Sequence, residues 1–457
     1  MHRGRIVYAI QGAGAGVVDA GGCRRELIDI TLCWIYIQCM NKYVERLITP
    51  LLQEALDNFR IVSLTGARQT GKTTLAKQIC ARRGMRYVSL EDAVVRTQAA
   101  ADPDGWLAGF HEPVAIDEVQ QVPELFGALK RRVDTDRRPG QYLITGSALW
   151  LSMKAVGESL AGRVGLLELW PFSLAERLGR RPPDIARLAD AKVDPARMAA
   201  EAGGVEEIDR EWLERMVLPG GYPEPCGFKS ARQRRVWFES YLNTYLQRDV
   251  LDLVRIEHAD LYVRMIRLLA VRSGQLLNLN AVARDVGLPQ PTARRYAQWL
   301  VTTYQRFEVA PYSTNVGKRL VRTPKSYWSD AGMVAALAGW RSWADVESAG
   351  ADGALIETWV AGELRKWAAG TQGGTIYFWR SHHGGEVDFL VETDQGIVGI
   401  EVKAGRRVDT RDLRGMRECR AALGRRFRRG IVLYGGKEVL PLEREVVAVP
   451  LSILAGS

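Results

Sequence analysis

The sequence predicts an α/β fold in which a parallel sheet comes first and a second α/β unit comes last. Three observations lead to this prediction. A short apolar run at residues 61–65 ends in a glycine-flanked bend that opens a helix. A second apolar run ends in an Asp-Glu pair at residues 114–118. Near the end of the chain, an acid on one predicted strand is followed by Glu-x-Lys on the next, within residues 386–403. Runs of this length bounded by turns are typical of strands.

The composition is that of a folded protein with several domains. The chain has 457 residues, of which 47% are hydrophobic and 25% are charged, and this length exceeds what one compact core accommodates. A net charge of +10 permits a polyanionic partner without requiring one. None of the six cysteines forms a CxxC pair, which disfavours a zinc site and favours reduced thiols in the cytoplasm. No apolar run is long enough to span a bilayer, so we expect no membrane segment.

Residues 1–40 differ from the rest of the chain. They are rich in glycine and show no sustained helical period. We expect either a poorly ordered extension or a start codon that was assigned too early, because Met40 directly precedes the first helical pattern.

The bend at residues 66–73 reads GARQTGKT and matches the pattern G-x-x-x-x-G-K-[ST]. Its position between a strand and a helix predicts a loop that binds the phosphates of ATP. Its glycines allow the backbone N–H groups to turn toward phosphate oxygens, and the helix start adds partial positive charge. Lys72 is expected to reach the outer phosphates, and Thr73 to hold Mg²⁺. The whole predicted nucleotide-binding set is Gly66, Ala67, Arg68, Gln69, Thr70, Gly71, Lys72, Thr73 and Thr74.

An acidic pair follows the second apolar run, where the carboxyl end of a parallel strand would lie beside the phosphate loop. Asp117 is expected to hold Mg²⁺, directly or through water. Glu118 is placed to orient and deprotonate the attacking water. An acid in this place favours hydrolysis over simple binding of phosphate.

Two further candidates follow the predicted third strand, YLIT at residues 142–145. Ser147 either senses the γ-phosphate or only forms the turn and cap between the strand and a helix. Arg163 lies between glycines and is either an arginine finger, in cis or across a subunit contact, or a solvated side chain. An arginine finger across subunits would require a homo-oligomer.

The stretches YVERLITPLL, GARQTGKTTL, AIDEVQ, YLITGS and SLAGRV…LWPFSLAE together resemble a known family. They are similar to the bacterial and archaeal AAA-superfamily ATPases that carry a C-terminal domain of unknown function. The resemblance runs from about Tyr43 to near the end of the chain. It implies an AAA-type ATPase core at residues 41–175, with Lys72 and Thr73 at the nucleotide and Asp117 and Glu118 at the metal and water.

The middle of the chain predicts two helical parts. Residues 176–255 contain aromatic residues at helical spacing and are interpreted as a lid or linker, with nucleic-acid binding as the alternative. Residues 256–345 contain two short helices around Gly287, followed by two predicted strands, and resemble a winged helix. Such an element serves either as a packing module or as a DNA reader. The candidate DNA-contacting residues are Thr292, Arg294, Arg295, Lys318 and Arg319.

Residues 350–457 hold a second group of charged side chains. Asp388 on one predicted strand, and Glu401 and Lys403 on one face of the next, resemble the PD-(D/E)XK restriction-endonuclease-like fold. Asp388 and Glu401 suit Mg²⁺, and Lys403 suits the attacking water. Glu357, on the preceding predicted helix, supports the metal or the lysine. The alternative is a solvated strand face without catalysis.

Three functions remain open at this point. The first is an ATPase that couples its nucleotide state to a C-terminal nuclease-like or DNA-binding module. The second is an ATP-dependent switch whose C-terminal domain binds nucleic acid or protein without cutting. The third is a small-molecule kinase, which Glu118 disfavours because a kinase needs no hydrolytic acid at that position.

Overall fold

The computed structural model describes residues 43–146, 160, 162–190, 192–197, 208–244, 259–313, 323–382 and 384–457. Its strands are β1 (Ile61–Thr65), β2 (Arg86–Ser89), β3 (Val114–Asp117), β4 (Tyr142–Thr145), β5 (Val164–Glu168), β6 (Arg306–Pro311), β7 (Lys325–Trp328), β8 (Thr375–Arg380), β9 (Glu386–Thr393), β10 (Gly396–Lys403), β11 (Phe427–Tyr434), β12 (Leu440–Glu443) and β13 (Val446–Pro450). Its α-helices are α1 (Thr49–Asn58), α2 (Lys72–Arg83), α3 (Ala93–Ala101), α4 (Pro103–Ala108), α5 (Glu124–Thr135), α6 (Leu174–Arg177), α7 (Arg210–Met216), α8 (Pro223–Cys226), α9 (Ala231–Tyr241), α10 (Ala259–Val271), α11 (Leu279–Val286), α12 (Gln290–Thr302), α13 (Ala331–Ala338), α14 (Trp343–Ser348), α15 (Asp352–Thr371) and α16 (Arg414–Leu423).

Some predicted features lie outside the described residues. They are the extension at 1–40, Ser147, and the pair Lys318 and Arg319.

The first sheet has the strand order β2-β3-β4-β1-β5, and all its neighbouring strands are parallel. β1, β3 and β4 are buried along their whole length, which explains why they are short apolar runs rather than alternating ones. The apolar face of α5 packs on this sheet. Because all strands are parallel, the carboxyl ends of β1, β3 and β4 meet at one edge. The prediction of an α/β protein with a parallel sheet is confirmed.

The middle helices form their own part of the core. α10 buries residues at helical spacing, namely Tyr262, Met265, Ile266 and Leu269. α11 ends at Gly287, whose left-handed backbone (φ 84°) closes the helix, and α12 begins three residues later with Pro291 in its first turn. The sequence had indicated two short helices around Gly287, and the structure has them there.

The second sheet has the strand order β12-β13-β11-β10-β9-β8-β6-β7. β6 pairs with β7 in antiparallel fashion and with β8 in parallel fashion. These two strands come from residues 306–328, which the sequence assigned to a middle domain separate from residues 350–457. The boundary expected between the two domains therefore does not separate two sheets, because β6 bridges them through hydrogen bonds with β8.

One hydrophobic cluster connects the two sheets. It includes Ala67 in the phosphate loop, Trp170 after β5, Tyr304 before β6, and Val398 in β10. By its contacts, Val44–Ser457 is one compact unit. Among the described residues, no helix combines the length and the apolar character that crossing a membrane requires.

Candidate functional site

The phosphate loop wraps around the side chain of its own lysine. Gly66 has a φ of 151°, and a Cβ at this position would overlap the carbonyl oxygen of Leu169, so only glycine fits here. Lys72, the first residue of α2, turns its Nζ back to donate to the carbonyl oxygens of Gly66 at 3.1 Å and Ala67 at 2.8 Å. Burial lowers the pKa of Lys72 to about 8, although the nearby Glu118 partly opposes this effect. The ammonium is thus held in the loop, where phosphate oxygens can replace two carbonyl acceptors.

Asp117 lies at the carboxyl end of β3 and accepts hydrogen bonds from three hydroxyl groups. Thr73 donates to Oδ2 at 2.8 Å and Tyr87 donates to the same oxygen at 2.6 Å, while Thr145 donates to Oδ1. Mg²⁺ in nucleotide sites is commonly held by one or two protein oxygens together with the phosphates of the nucleotide. The contact between Thr73 and Asp117 therefore fits the Mg²⁺ that a P-loop ATPase usually binds.

Glu118 has a backbone conformation that is unusual for a residue with a side chain. Its φ is 56°, in the left-handed region, and such strain is concentrated at functional sites. Burial raises the pKa of Glu118, and Gln120 Nε2 donates a hydrogen bond to its carboxylate. The Oε1 atom of Gln120 is buried and has no hydrogen-bond partner among the described residues. The left-handed turn and Gln120 together fix the direction of the Glu118 carboxylate.

A buried ion pair supports the phosphate loop from behind. Arg46, before α1, donates to the carbonyl oxygens of Thr70 at 2.8 Å and Trp170 at 2.6 Å. Its Nε donates to Glu176 Oε1 at 3.1 Å, and both side chains are only 5% exposed. Glu176 also accepts two backbone N–H groups. Arg46 therefore joins the loop to the segment that follows β5.

Arg163 does not lie at the nucleotide edge of the sheet. It directly precedes β5, whose first residue, Val164, pairs with Ile61 at the amino end of β1. The phosphate loop follows the opposite end of β1, the length of the strand away. The guanidinium of Arg163 forms a two-pronged ion pair with Asp134, at 2.6 Å and 3.0 Å. The prediction of an arginine finger in cis is wrong for this reason, and a role across a subunit contact stays a prediction.

The four side chains predicted for the C-terminal site lie in one cluster. Glu357 comes from the first half of α15, Asp388 from β9, and Glu401 and Lys403 from β10. Asp388 Oδ2 accepts the backbone N–H of Val402 at 2.9 Å, and Lys403 Nζ donates to Glu401 Oε1 at 3.0 Å. The antiparallel pairing of β9 with β10 brings these side chains together.

A second lysine lies among these carboxylates. Lys325 of β7 places its Nζ 2.6 Å from Glu386, 3.1 Å from Glu357 and 3.5 Å from Asp388, and its side chain is 6% exposed. The hydroxyl of Tyr327, two residues along β7, donates to Glu357 at 2.6 Å. The cluster is therefore held from four elements, and β7 is the one that the sequence did not indicate.

Asp388, one of the two carboxylates predicted to hold a second Mg²⁺, already faces an ammonium group. Among the described residues, no group of three or more His, Cys, Asp or Glu side chains is arranged to hold a metal ion. The ammonium of Lys325 lies between Glu357 and Asp388, in the region that a cation bridging them would need. A metal between Asp388 and Glu401 stays a prediction.

Burial and mutual repulsion raise the pKa values of the clustered carboxyl groups. The pKa of Glu401 rises to about 8 because of burial and the neighbouring Asp388. The pKa values of Glu357 and Asp388 are also raised, mainly by burial. Burial opposes the charge of Lys325, but the surrounding carboxylates outweigh it and raise the pKa of this lysine. The cluster holds more acidic groups than its two lysines neutralise.

A short polar path connects the phosphate loop to β6. The hydroxyl groups of Tyr304 and Thr65 lie 2.8 Å apart, and Thr65 is the residue before the loop. Gln305 Nε2 donates to the hydroxyl of Tyr241 at 3.1 Å, and this hydroxyl lies 3.4 Å from the carbonyl oxygen of Arg68, to which it donates. Tyr304 has a left-handed φ of 60°. β6, which begins two residues later at Arg306, belongs to the second sheet.

The candidate DNA-contacting residues that the structure describes lie on α12. Arg294 and Arg295 are exposed, and Thr292 is half-buried. No bound partner tests their role, so DNA contact stays a prediction.

Several residues of these sites were not predicted from the sequence, and a local pattern could have indicated only some of them. Glu386 lies two positions before Asp388 on β9, so alternation along the strand places both on one face. Lys325 and Tyr327 also share a strand face, but β7 joins the cluster only through long-range pairing. Arg46 reaches a partner 130 residues away, and no local pattern indicates that contact.

Three family models match parts of this chain. Residues 58–178 match the model of an AAA domain, residues 210–344 match a domain of unknown function (DUF8612), and residues 352–454 match another (DUF4143). Among solved structures, the Walker-type ATPase PABY2304 of Pyrococcus abyssi is 16% identical, with a TM-score of 0.37, and covers 63% of this chain and 94% of its own. The RuvB Holliday junction branch migration motor of Thermotoga maritima is 16% identical, with a TM-score of 0.25, and covers 62% and 89%.

Two mycobacterial proteins are similar over most of this chain. The uncharacterized protein Rv2008c of Mycobacterium tuberculosis is 32% identical over 401 residues, which are 87% of this chain and 82% of that protein. The uncharacterized protein Mb2031c of Mycobacterium bovis matches with the same values. The chain therefore carries an AAA-type P-loop ATPase domain and belongs to the same family as Rv2008c and Mb2031c.

Proposed function

We propose that the chain binds and hydrolyses ATP and couples its nucleotide state to the C-terminal sheet. The observation that carries the first part is the convergence of three groups at one sheet edge. Lys72 is held inside the phosphate loop, the Thr73 hydroxyl touches the Asp117 carboxylate at 2.8 Å, and Glu118 follows directly in a left-handed turn. A kinase of small molecules needs the first two features but not the third.

Each residue then has a defined task in hydrolysis. Lys72 exchanges its carbonyl acceptors for phosphate oxygens and stabilises the charge that develops on them. Glu118 accepts a proton from water, whose oxygen forms a bond to the γ-phosphorus while the bond from that phosphorus to the bridging oxygen breaks. ADP leaves with the electron pair of that bond. Thr73 and Asp117 would hold Mg²⁺, which neutralises phosphate charge when bound.

ATP binding and turnover by the purified full chain test this proposal. Lys72→Ala is expected to abolish ATP binding, because the loop loses the only lysine within residues 66–74. Glu118→Gln is expected to keep binding and to lose hydrolysis by roughly 100-fold or more, since it removes the base. Lys229→Ala, at an exposed lysine that precedes α9, is the control and should behave like the unmodified protein. Turnover by Glu118→Gln at the unmodified rate would refute the role of this residue.

The C-terminal sheet, in this proposal, is a PD-(D/E)XK-like fold, and α11, α12, β6 and β7 form a winged-helix-like element. The convergence of Glu357, Asp388, Glu401 and Lys403 supports the first assignment. The exposed Arg294 and Arg295 on α12 support contact with nucleic-acid phosphates. A steep fall in DNA affinity as salt rises would support such contacts, and unchanged affinity in a double Arg294→Ala, Arg295→Ala variant would argue against them.

A second candidate function is a switch whose C-terminal domain binds without cutting. The position of Lys325 inside the acidic cluster favours this candidate over a nuclease. Linear, circular and single-stranded DNA can be incubated with the protein, Mg²⁺ or Mn²⁺, and ATP. The switch predicts no more cleavage than an Asp388→Ala control shows. Cleavage that disappears in this control would establish the nuclease instead.

A further inference from the structure

We propose that Lys325 is a built-in cation that takes the place of a divalent metal ion in the C-terminal cluster. In the unmodified protein, the carboxylates of Glu357, Glu386 and Asp388 are then assembled by an ammonium group and bind no metal. This inference concerns the C-terminal cluster alone and does not depend on ATP hydrolysis.

The geometry around Lys325 is that of a central counter-ion. Its Nζ contacts three carboxylates from two different elements, at distances of 2.6 Å to 3.5 Å. Two of them, Glu386 and Asp388, extend from β9, and the third, Glu357, extends from α15. A surface lysine typically makes one exposed ion pair of little energetic weight. Lys325 is instead 5% exposed as a residue, so its charge depends on these partners.

The strand that carries Lys325 is held in place by its pairing with β6. β7 pairs with β6, with Lys325 opposite Val309 and Tyr327 opposite Phe307. The ring of Tyr327 stacks on Phe307 with 5.8 Å between centroids, and its hydroxyl holds Glu357. The strand pairing therefore fixes the backbone position from which the side chain of Lys325 reaches the three carboxylates. Contact with three carboxylates at once is what a counter-ion at the centre of the cluster requires.

The two lysines of the cluster contact different carboxyl groups. Lys403 contacts Glu401 at 3.0 Å and lies 3.7 Å from Asp412. Lys325 serves the other three carboxylates. A divalent cation between Glu357 and Asp388 would lie next to the Lys325 ammonium, and like charges a few ångströms apart in a buried site repel strongly. The ammonium and the metal thus compete for the same position.

Manganese binding to the nucleotide-free full chain tests the proposal directly. The unmodified protein and Asp388→Asn are titrated with Mn²⁺ and followed by calorimetry or by the loss of the free-ion resonance signal. The proposal expects the two isotherms to coincide, because Asp388 ligates no metal. A binding event in the unmodified protein that Asp388→Asn removes would overturn it.

Replacing the lysine should create the missing metal site. Lys325→Met keeps the length of the stem and removes the charge, so the carboxylates are left without a counter-ion. We expect this variant to melt at a lower temperature and to gain Mn²⁺ affinity of roughly tenfold or more over the unmodified protein, with Mn²⁺ restoring much of the lost thermal stability. Adding Asp388→Asn to this variant should remove the gain.

A matched control is Lys366→Met. Lys366 is also buried and ion-paired, and its Nζ contacts Glu363 at 2.9 Å and the carbonyl oxygen of Phe172 at 3.0 Å. This variant should be destabilised without gaining Mn²⁺ affinity. A folded Lys325→Met protein that binds no more Mn²⁺ than Lys366→Met would contradict the proposal. Should Lys325→Met fail to fold, the comparison between the unmodified protein and Asp388→Asn still decides.

Discussion

At the scale of single residues, the phosphate loop depends on an ion pair that lies outside the motif. Arg46 donates to the loop carbonyl of Thr70 and pairs with Glu176 in a site from which water is excluded. Removing one member of a buried pair leaves the other charge without compensation. We expect Arg46→Met to lower the free energy of unfolding by about 3–5 kcal/mol, measured by chemical denaturation.

The partner variant separates the charge effect from the effect of lost packing. Glu176→Gln alone should also destabilise, since it leaves Arg46 buried. The double variant Arg46→Met with Glu176→Gln should lose less stability than the sum of the two single changes, because neither charge is then left alone. Strictly additive losses would show that the two side chains do not act as a pair.

The buried carboxyl group of Glu401 predicts how stability changes with pH. Its pKa is about 8 in the folded protein and about 4.3 in an unfolded chain. Between these values, the folded protein holds a proton that the unfolded chain has lost. The contribution of Glu401 is therefore complete below the lower pKa and is lost as the pH rises through 8. Glu401→Gln, which stays neutral, should fall less in melting temperature than the unmodified protein between pH 5 and about 8.

One outcome of this comparison would contradict the prediction. If the melting temperatures of both proteins changed in parallel over this range, Glu401 would not carry the extra proton. Glu392, which is exposed to solvent in part and pairs with Arg426, gives the control substitution Glu392→Gln. This variant also removes one acidic group from the same sheet, and we expect its pH profile to follow the unmodified one.

Residues whose role is set by near neighbours were predictable, and those held by distant partners were not. Lys72 and Thr73 follow from the spacing of the loop, and Asp117 and Glu118 from their place after a strand. Arg46 and Lys325 meet their partners only after the chain has folded. A buried cation surrounded by carboxylates leaves no trace in a window of local sequence, because Lys325, Glu357 and the pair Glu386 and Asp388 come from three separate elements.

At the scale of elements, α16 approaches β9 closely enough to exclude any side chain at one helical position. A Cβ at Gly415, the second residue of α16, would overlap the carbonyl oxygen of Glu386. Overpacking against a backbone atom forces a shift of the helix or the strand. We expect Gly415→Ala to cost about 1–3 kcal/mol in the free energy of unfolding. Because Glu386 contacts Lys325, the change should also disturb the acidic cluster.

A second glycine provides the control for this substitution. Gly353 is likewise the second residue of a helix, α15, and a Cβ there would meet no atom within 4 Å. Gly353→Ala should be neutral or stabilise by up to about 1 kcal/mol, because alanine favours the helix. Equal effects of the two substitutions in chemical denaturation would mean that close packing of α16 does not matter.

Elements could be recognised from the sequence more reliably than their partners. The alternation in residues 396–403 and the apolar run at residues 61–65 both correspond to strands, β10 and β1. The sequence also places two strands after α12, where β6 and β7 occur. It does not show that β6 pairs with β8, since that pairing joins segments about 70 residues apart through two residue pairs. Local patterns fix the strand, whereas the sheet depends on contacts across the chain.

At the scale of the whole molecule, two routes connect the phosphate loop to the acidic cluster. Through the first, Tyr304 contacts Thr65, and β6 then pairs with the strand that carries Lys325. The second is α15, which holds Glu357 in the cluster. About two turns further along this helix, Arg365 donates to Glu168 at 2.8 Å. Both routes consist of buried or half-buried contacts within one compact unit. A change in the loop therefore has a physical connection to the second sheet.

The route through Tyr304 leads to a measurable prediction about coupling. A ligand shifts an equilibrium only through contacts that differ between its states. If nucleotide binding alters the loop that Tyr304 touches, a non-hydrolysable ATP analogue should slow hydrogen exchange in β6 and β7 as well as in the loop. Tyr304→Phe removes the hydroxyl that meets Thr65 and keeps the ring that packs against Trp170. We expect this variant to bind the analogue and to lose most of the slowing in β6 and β7.

Tyr296→Phe is the matched control for this experiment, since it removes a buried hydroxyl from the neighbouring helix α12. That hydroxyl has no hydrogen-bond partner within the part of the chain that the structure describes, so its loss should leave the exchange pattern intact. The comparison separates the loss of the Tyr304 hydroxyl, which meets Thr65 and also Glu168, from general loosening of the core. If Tyr304→Phe kept the full response, α15 or the wider core would have to carry the coupling. If neither protein responded to the analogue in β6 and β7, the nucleotide state would not reach the second sheet at all.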